Sequence, residues 1–76
     1  MEIQNFVQTF AAQFDDTDAS VFTPTTKFKE LDEWSSLMAL SVIAMADETY
    51  QVKLKGDDIR QSQTVEDLYN IVKSRL

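Results

Sequence analysis

A serine at the mouth of an apolar helix is the residue of this chain best placed to do chemistry. The run Glu33-Trp34-Ser35-Ser36-Leu37-Met38 passes from a polar turn straight into an almost wholly apolar stretch. A hydroxyl there is reachable by another protein, while the helix behind it supplies a core stripe and a docking surface. That arrangement suits a covalent attachment point. The rest of the inventory is thin: the chain has no cysteine and no histidine. Zinc fingers, thiol catalysis, Ser-His-Asp triads and most transition-metal sites are therefore excluded, leaving carboxylates, hydroxyls and lysines. An enzyme in its own right is the least favoured reading. Asp15-Asp16 and Asp57-Asp58 could in principle hold magnesium or calcium, but neither pair has EF-hand spacing. Both are expected as solvated helix ends, and no metal site is expected.

The elements that must position this serine fit in one small domain, residues 1–76. A chain of this size buries roughly 60% of its unfolded surface, so its stability is modest. The opening MEIQNFVQTF is too polar for a signal peptide and no segment approaches membrane-spanning length, so a cytoplasmic location is expected; the protein is also expected to be a monomer. Seven basic and thirteen acidic residues give a net charge of −6. This opposes phosphate backbones and anionic membranes, so no nucleic-acid partner is expected. It favours partners with basic patches, or serves only to keep the protein in solution.

One glycine and one proline argue against an all-β fold, and the apolar spacing predicts helices. Ile3, Phe6, Val7, Phe10, Ala11 and Phe14 recur at three- and four-residue steps, an apolar stripe on a first helix. Asp15-Asp16-Thr17-Asp18 ends it, because acidic residues are unfavourable at the negative end of the helix dipole. Residues 15 to about 34 form a long connection containing Thr23-Pro24-Thr25-Thr26. Val21, Phe22, Phe28, Leu31 and Trp34 pack that connection across the helices.

A second helix is predicted over Ser36 to Tyr50. At 100° per residue, Ala39, Val42, Ile43, Ala46 and Tyr50 share a narrow stripe assigned to the core. Leu37, Met38, Ala44 and Met45 then project away, interspersed with Ser41 and Glu48, as an exposed apolar face for a partner. Alternatively, the first helix covers this second face. Gly56 breaks the pattern, and Asp57-Asp58-Ile59-Arg60 predicts a short helix whose Ile59 plugs the core. Thr64 is the expected N-cap of a last helix, with Asp67 three positions on. Val65, Leu68, Tyr69 and Val72 form its apolar face, Ile71 flanks it, and Lys73 and Arg75 fall in the last turn. The sum is an all-α four-helix bundle with three main helices, one short one, and a long loop between helices 1 and 2.

The stretch Phe28-Lys29-Glu30-Leu31-Asp32-Glu33-Trp34-Ser35-Ser36-Leu37 resembles the segment of acyl carrier proteins that ends in Asp-Ser-Leu, where some members carry a tryptophan just before it. The spacing from Ser36-Leu37 through Val42, Ile43 and Ala46 to Tyr50-Gln51-Val52-Lys53-Leu54 is similar to the family's second helix and strand-like exit. Thr64-Val65-Glu66-Asp67-Leu68 resembles its fourth-helix opening. The likeness covers residues 28–72, and the first helix agrees in type and length.

The resemblance implies that Ser36 carries a 4′-phosphopantetheine arm through a phosphodiester. A carrier-protein synthase, or phosphopantetheinyl transferase, would install it from coenzyme A with magnesium. The arm's thiol would hold an acyl group as a thioester, supplying the reactive sulfur the chain lacks. Phe28, Val42, Ile43, Ala46, Leu54 and Ile59 would shelter that group. The docking surface for acyl-loading and condensing enzymes of fatty-acid or polyketide synthesis would be Ser35, Leu37, Met38, Ser41, Met45, Asp47 and Glu48. On position alone Ser36 could be only a helix cap. With the resemblance, Ser35 becomes the expected cap and Ser36, next to Leu37, the attachment point.

The chain departs from the family at positions that face partners. The aspartate that usually precedes the modified serine is Ser35, and positions many fatty-acid carriers fill with acidic residues are Met38 and Ser41. Asp47 and Glu48 remain as the helix's carboxylates, and Lys53 and Lys55 weaken the acidic field beside them. Docking would lean on apolar contact, as in a carrier dedicated to a specialised pathway. Two alternatives stand: a peptidyl or aminoacyl carrier sharing fold, arm and serine, and a helical interaction module without prosthetic group.

Overall fold

Phenylalanines at positions 6 and 10 line one side of the first helix, Phe14 continues that line just past its end, and the rest of the chain wraps around them. The computed structural model describes residues 2–76. Its four helices are α1 (Ile3–Ala11), α2 (Ser36–Tyr50), α3 (Gly56–Gln61) and α4 (Val65–Ser74). No strand occurs among the described residues, so the extended exit after α2 pairs with nothing. The bundle measures 29 × 24 × 20 Å.

α1 stops at Ala11, and Ala12–Phe14 continue as a turn in which the Phe14 N–H donates to the Ala11 carbonyl at 3.0 Å. Phe14 stays in register with Phe6 and Phe10, and all three are buried. Their rings meet Phe22, Phe28 and Tyr69, with centroids 6.0 Å apart for Phe10–Phe22, 5.2 Å for Phe10–Phe28 and 5.7 Å for Phe6–Tyr69. Aromatic pairs at these spacings add to the area they bury.

The long connection is ordered by local hydrogen bonds and by docking on α4. Single 3-10 turns form at Ala19–Val21 and Phe28–Glu30. The Thr26 hydroxyl accepts from the Thr23 N–H at 2.8 Å and donates to the Val21 carbonyl at 2.9 Å. The carbonyls of Pro24 and Thr26 accept the N–H groups of Glu66 and Val65, meeting two donors that the first turn of α4 leaves without helical partners. Phe22 and Phe28 are buried as expected, whereas Val21, expected to pack, is 43% exposed. The 3-10 turn rotates it outward.

Capping sets the remaining boundaries. The Thr64 hydroxyl accepts from the Asp67 N–H at 3.2 Å, and the Asp67 carboxylate accepts from the N–H groups of Thr64 and Gln63. Aspartate thus completes the reciprocal box usually closed by Glu or Gln. α2 ends on Gln51 in the left-handed conformation, φ 59°, its N–H bonded to the Asp47 carbonyl.

Asp58 corrects the sequence reading of that acidic pair as solvated. It is 9% exposed, and its carboxylate accepts the Lys55 N–H at 2.9 Å and both ends of the Arg75 guanidinium at 2.8 Å. Arg75 follows α4 as its C-cap and also reaches the Lys53 carbonyl at 3.3 Å. These bonds, led by Arg75, hold the Asp58 carboxyl below the usual carboxylate range. α3 is thereby tied to the end of α4.

Candidate functional site

Ser36 is the first residue of α2, and its predecessor does the capping. Ser35 has extended backbone, and its Oγ accepts the Met38 N–H at 3.2 Å. With that role taken, the Ser36 side chain is exposed and its hydroxyl makes no hydrogen bond to the described residues. It stands at the positive end of a 15-residue helix, a favourable place for a phosphate ester.

The approach to Ser36 is held by Glu33. Its carboxylate accepts the N–H groups of Asp15 and Asp16 at 2.9 and 3.1 Å and the Thr17 hydroxyl at 2.7 Å, pinning the start of the long connection after α1 to the turn before α2. The Thr17 hydroxyl is the main cause that keeps the Glu33 carboxyl below its ordinary range. Trp34 packs on Phe28 and Phe14, with ring centroids at 4.9 and 6.3 Å.

An open groove of about 550 Å³ runs beside Ser36, lined by Trp34, Ala39, Leu40 and Ile43 on one side and Gly56, Ile59 and Arg60 on the other, with Lys29 at its edge. Of the residues expected to shelter a cargo, Ile43 and Ile59 line this groove. Phe28, Val42, Ala46 and Leu54 are instead buried within the core. A larger groove of about 730 Å³, lined in part by Val7, Ala11, Phe22 and Pro24, contains no residue of α2. Of the two, only the smaller groove includes Ser36 in its lining.

The exposed face of α2 differs from the expected one. Leu37 and Leu40 are 72% and 62% exposed, and Ala44, Asp47 and Glu48 are exposed on the same side. Met45, expected on this face, is only 4% exposed and belongs to the core, while Met38 and Ser41 are half-buried. The predicted core stripe was too narrow: burial reaches from Met38 and Met45 across to Ile43 and Tyr50. Leu40, missed from sequence, lies three residues after Leu37 and four before Ala44, so helical spacing alone marks it as their neighbour. Asp47 is partnered by Lys53 at 3.7 Å, an exposed pair of small value, and Glu48 has no ion pair.

Among the described residues, no cluster of acidic side chains is placed to hold a metal ion, and no helix is long and apolar enough to cross a membrane. The model of the phosphopantetheine attachment site family matches residues 5–72. The chain belongs to that family. It is a carrier protein whose prosthetic group is 4′-phosphopantetheine, and its partners include a phosphopantetheinyl transferase and the biosynthetic enzymes that use the arm. No curated protein matches the chain. The match ends before Arg75, so one partner of the Asp58–Arg75 tie lies outside the matched residues.

Proposed function

We propose that this protein is an acyl carrier whose 4′-phosphopantetheine is attached to Ser36. The observation that carries the reading is the free, exposed hydroxyl of Ser36 at the start of α2, beside a groove walled by Trp34, Ala39, Leu40, Ile43 and Ile59. When bound, the group supplies a thiol that holds its cargo as a thioester. The chain's own residues present the arm at the helix mouth and offer an apolar bed beside it. That lining suits an acyl cargo better than a charged aminoacyl one, whose ammonium would lose hydration against apolar walls.

Partners dock, in this reading, over Leu37, Leu40 and Ala44, with Asp47 and Glu48 beyond them. The stripe is more apolar than acidic, as befits a specialised carrier working as a monomer in the cytoplasm. Visiting enzymes would recognise it chiefly by burying the two leucines and use basic residues against Glu48 to set orientation.

The test is a loading comparison on protein converted to its phosphopantetheine form. An acyl-activating enzyme should charge it with a fatty acyl group, and aminoacyl-activating enzymes should leave it uncharged. Preferential aminoacyl charging would move the protein to the peptidyl carriers. Partner binding that is unchanged in Ser36→Ala, and independent of the arm, would favour a plain interaction module.

A further inference from the structure

The groove beside Ser36 contains a cation that no carboxylate neutralises. Lys29 lines it, and its Nζ donates to the Arg60 carbonyl at 3.0 Å, so the ammonium is held by a neutral group at the end of α3. Arg60, the other cation of the groove, is paired with Asp57. The remaining ion pairs among the described residues are Asp47–Lys53 and Asp58–Arg75, and Lys29 belongs to none. Glu30, its sequence neighbour, lines a second hollow with Lys29 but makes no ion pair with it. Lys27, Lys55 and Lys73 also form no ion pair among the described residues, but of the unpaired lysines Lys29 alone lines the groove with Ser36 and is tethered there.

We propose that Lys29 is an anion-holding residue for the arm on Ser36, taking an anionic oxygen that the arm itself brings into the groove. The proposal rests on Ser36 being the attachment point. An ammonium has three donors, and the Arg60 carbonyl occupies one, so two remain to face a ligand. Trp34, Ala39, Leu40, Ile43 and Ile59 make the lining beside Lys29 largely apolar, so its ammonium is the group there that attracts an anion. Two parts of a loaded arm supply such an oxygen: the phosphodiester at Ser36, or a free carboxylate at the far end of a dicarboxylic acyl cargo. Because Lys29 also bonds α3 through the Arg60 carbonyl, an anion seated on it would brace the two sides of the groove against each other.

The test compares four forms of the protein by NMR: unmodified, phosphopantetheinylated, butyryl-loaded and succinyl-loaded, each first verified by mass on the Ser36 peptide. The readouts are the Lys29 side-chain Cε–Hε resonance, with Lys27, Lys53, Lys55 and Lys73 as internal controls, and the phosphorus resonance of the arm. A Lys29 shift well outside the spread of the other four lysines is expected. If it appears in all three arm-bearing forms, and Lys29→Gln moves the phosphorus resonance, the anion is the phosphodiester. If it appears only in the succinyl form, the anion is the cargo carboxylate. A Lys29 resonance unmoved in every arm-bearing form, with mass gain on Ser36 established, would overturn the proposal and leave the carrier reading intact. No mass gain on Ser36 would overturn both.

Discussion

One wall of the groove beside Ser36 is Trp34 with Ala39, Leu40 and Ile43 of α2, and the other is Gly56, Ile59 and Arg60 of α3. The first is rooted in aromatic packing: Trp34 stands on Phe28 and Phe14, which pack in turn on Phe10. The second is a six-residue helix that contributes Ile59 to the apolar core and is otherwise held by polar links. Asp58 is clasped by Arg75, the buried Ser62 hydroxyl donates to the Asp58 carbonyl, and Lys29 donates to the Arg60 carbonyl. Apolar burial ties the α2 wall to the core of the whole bundle, whereas the polar links of α3 are few and can exchange for water without the core coming apart. The α2 wall should therefore open only with global unfolding, and the α3 wall should open locally. A groove with one fixed and one yielding wall suits a cargo that must be taken up and released.

The largest expected effect lies behind the fixed wall. Phe10→Ala removes the ring at the centre of the aromatic cluster and should cost about 3–5 kcal/mol in urea denaturation. Amides of α1, α2 and α4 should lose protection together. A loss confined to one helix would show that the aromatic cluster does not join these elements.

Asp58→Ala comes next. It leaves the Lys55 N–H and the Arg75 guanidinium without their acceptor and should cost about 1–3 kcal/mol. Hydrogen exchange should quicken first over residues 56–61, before α2. Acidification probes the same clasp. Arg75 and the Lys55 N–H hold the folded Asp58 carboxyl below its unfolded value, so its stabilisation is fully present above the ordinary aspartate range and disappears as pH falls through the lower folded value. Asp67, held low mainly by the Gln63 and Thr64 N–H groups, acts with the same sign. The wild type should therefore weaken as pH drops below about 4, the ordinary aspartate range, and Asp58→Ala should weaken less steeply. Parallel pH profiles for the two proteins would remove the clasp from the account.

Smaller effects separate the cap from the chemistry. Ser35→Ala deletes the cap of α2 and should cost about 1 kcal/mol while leaving Ser36 modifiable. Smallest of all is Leu40→Ala, which removes an exposed side chain and should change stability by no more than about 0.5 kcal/mol. Its loading by partner enzymes should nevertheless fall several-fold. A large stability loss with normal loading would make Leu40 a packing residue and not a docking one.

The bundle was legible in the sequence because its helices carry strong local signals. Ser35 and Thr64 mark helix starts, and the apolar faces of α1 and α4 follow helical spacing closely. α2 was harder. It is apolar nearly all round, so periodicity could not say where its buried arc ends, and Met45 was placed outside while Leu40 was passed over. Asp58 was misread because its partner Arg75 lies 17 residues away, and nothing local distinguishes a clasped carboxylate from a solvated one. The same holds for Glu33, whose three donors sit 16 to 18 residues earlier in the chain. The serine was legible from its position at a polar-to-apolar boundary, and the groove beside it was not, because its two walls come from separate segments.

The central claim is the attachment point, and its most direct test is fragmentation mass spectrometry. Wild type, Ser35→Ala and Ser36→Ala would each be incubated with coenzyme A, magnesium and a broad-specificity phosphopantetheinyl transferase. The account predicts one phosphopantetheine on wild type and on Ser35→Ala, localised to Ser36, and none on Ser36→Ala. Modification that survives Ser36→Ala, or that disappears with Ser35→Ala while the protein stays folded, would contradict it.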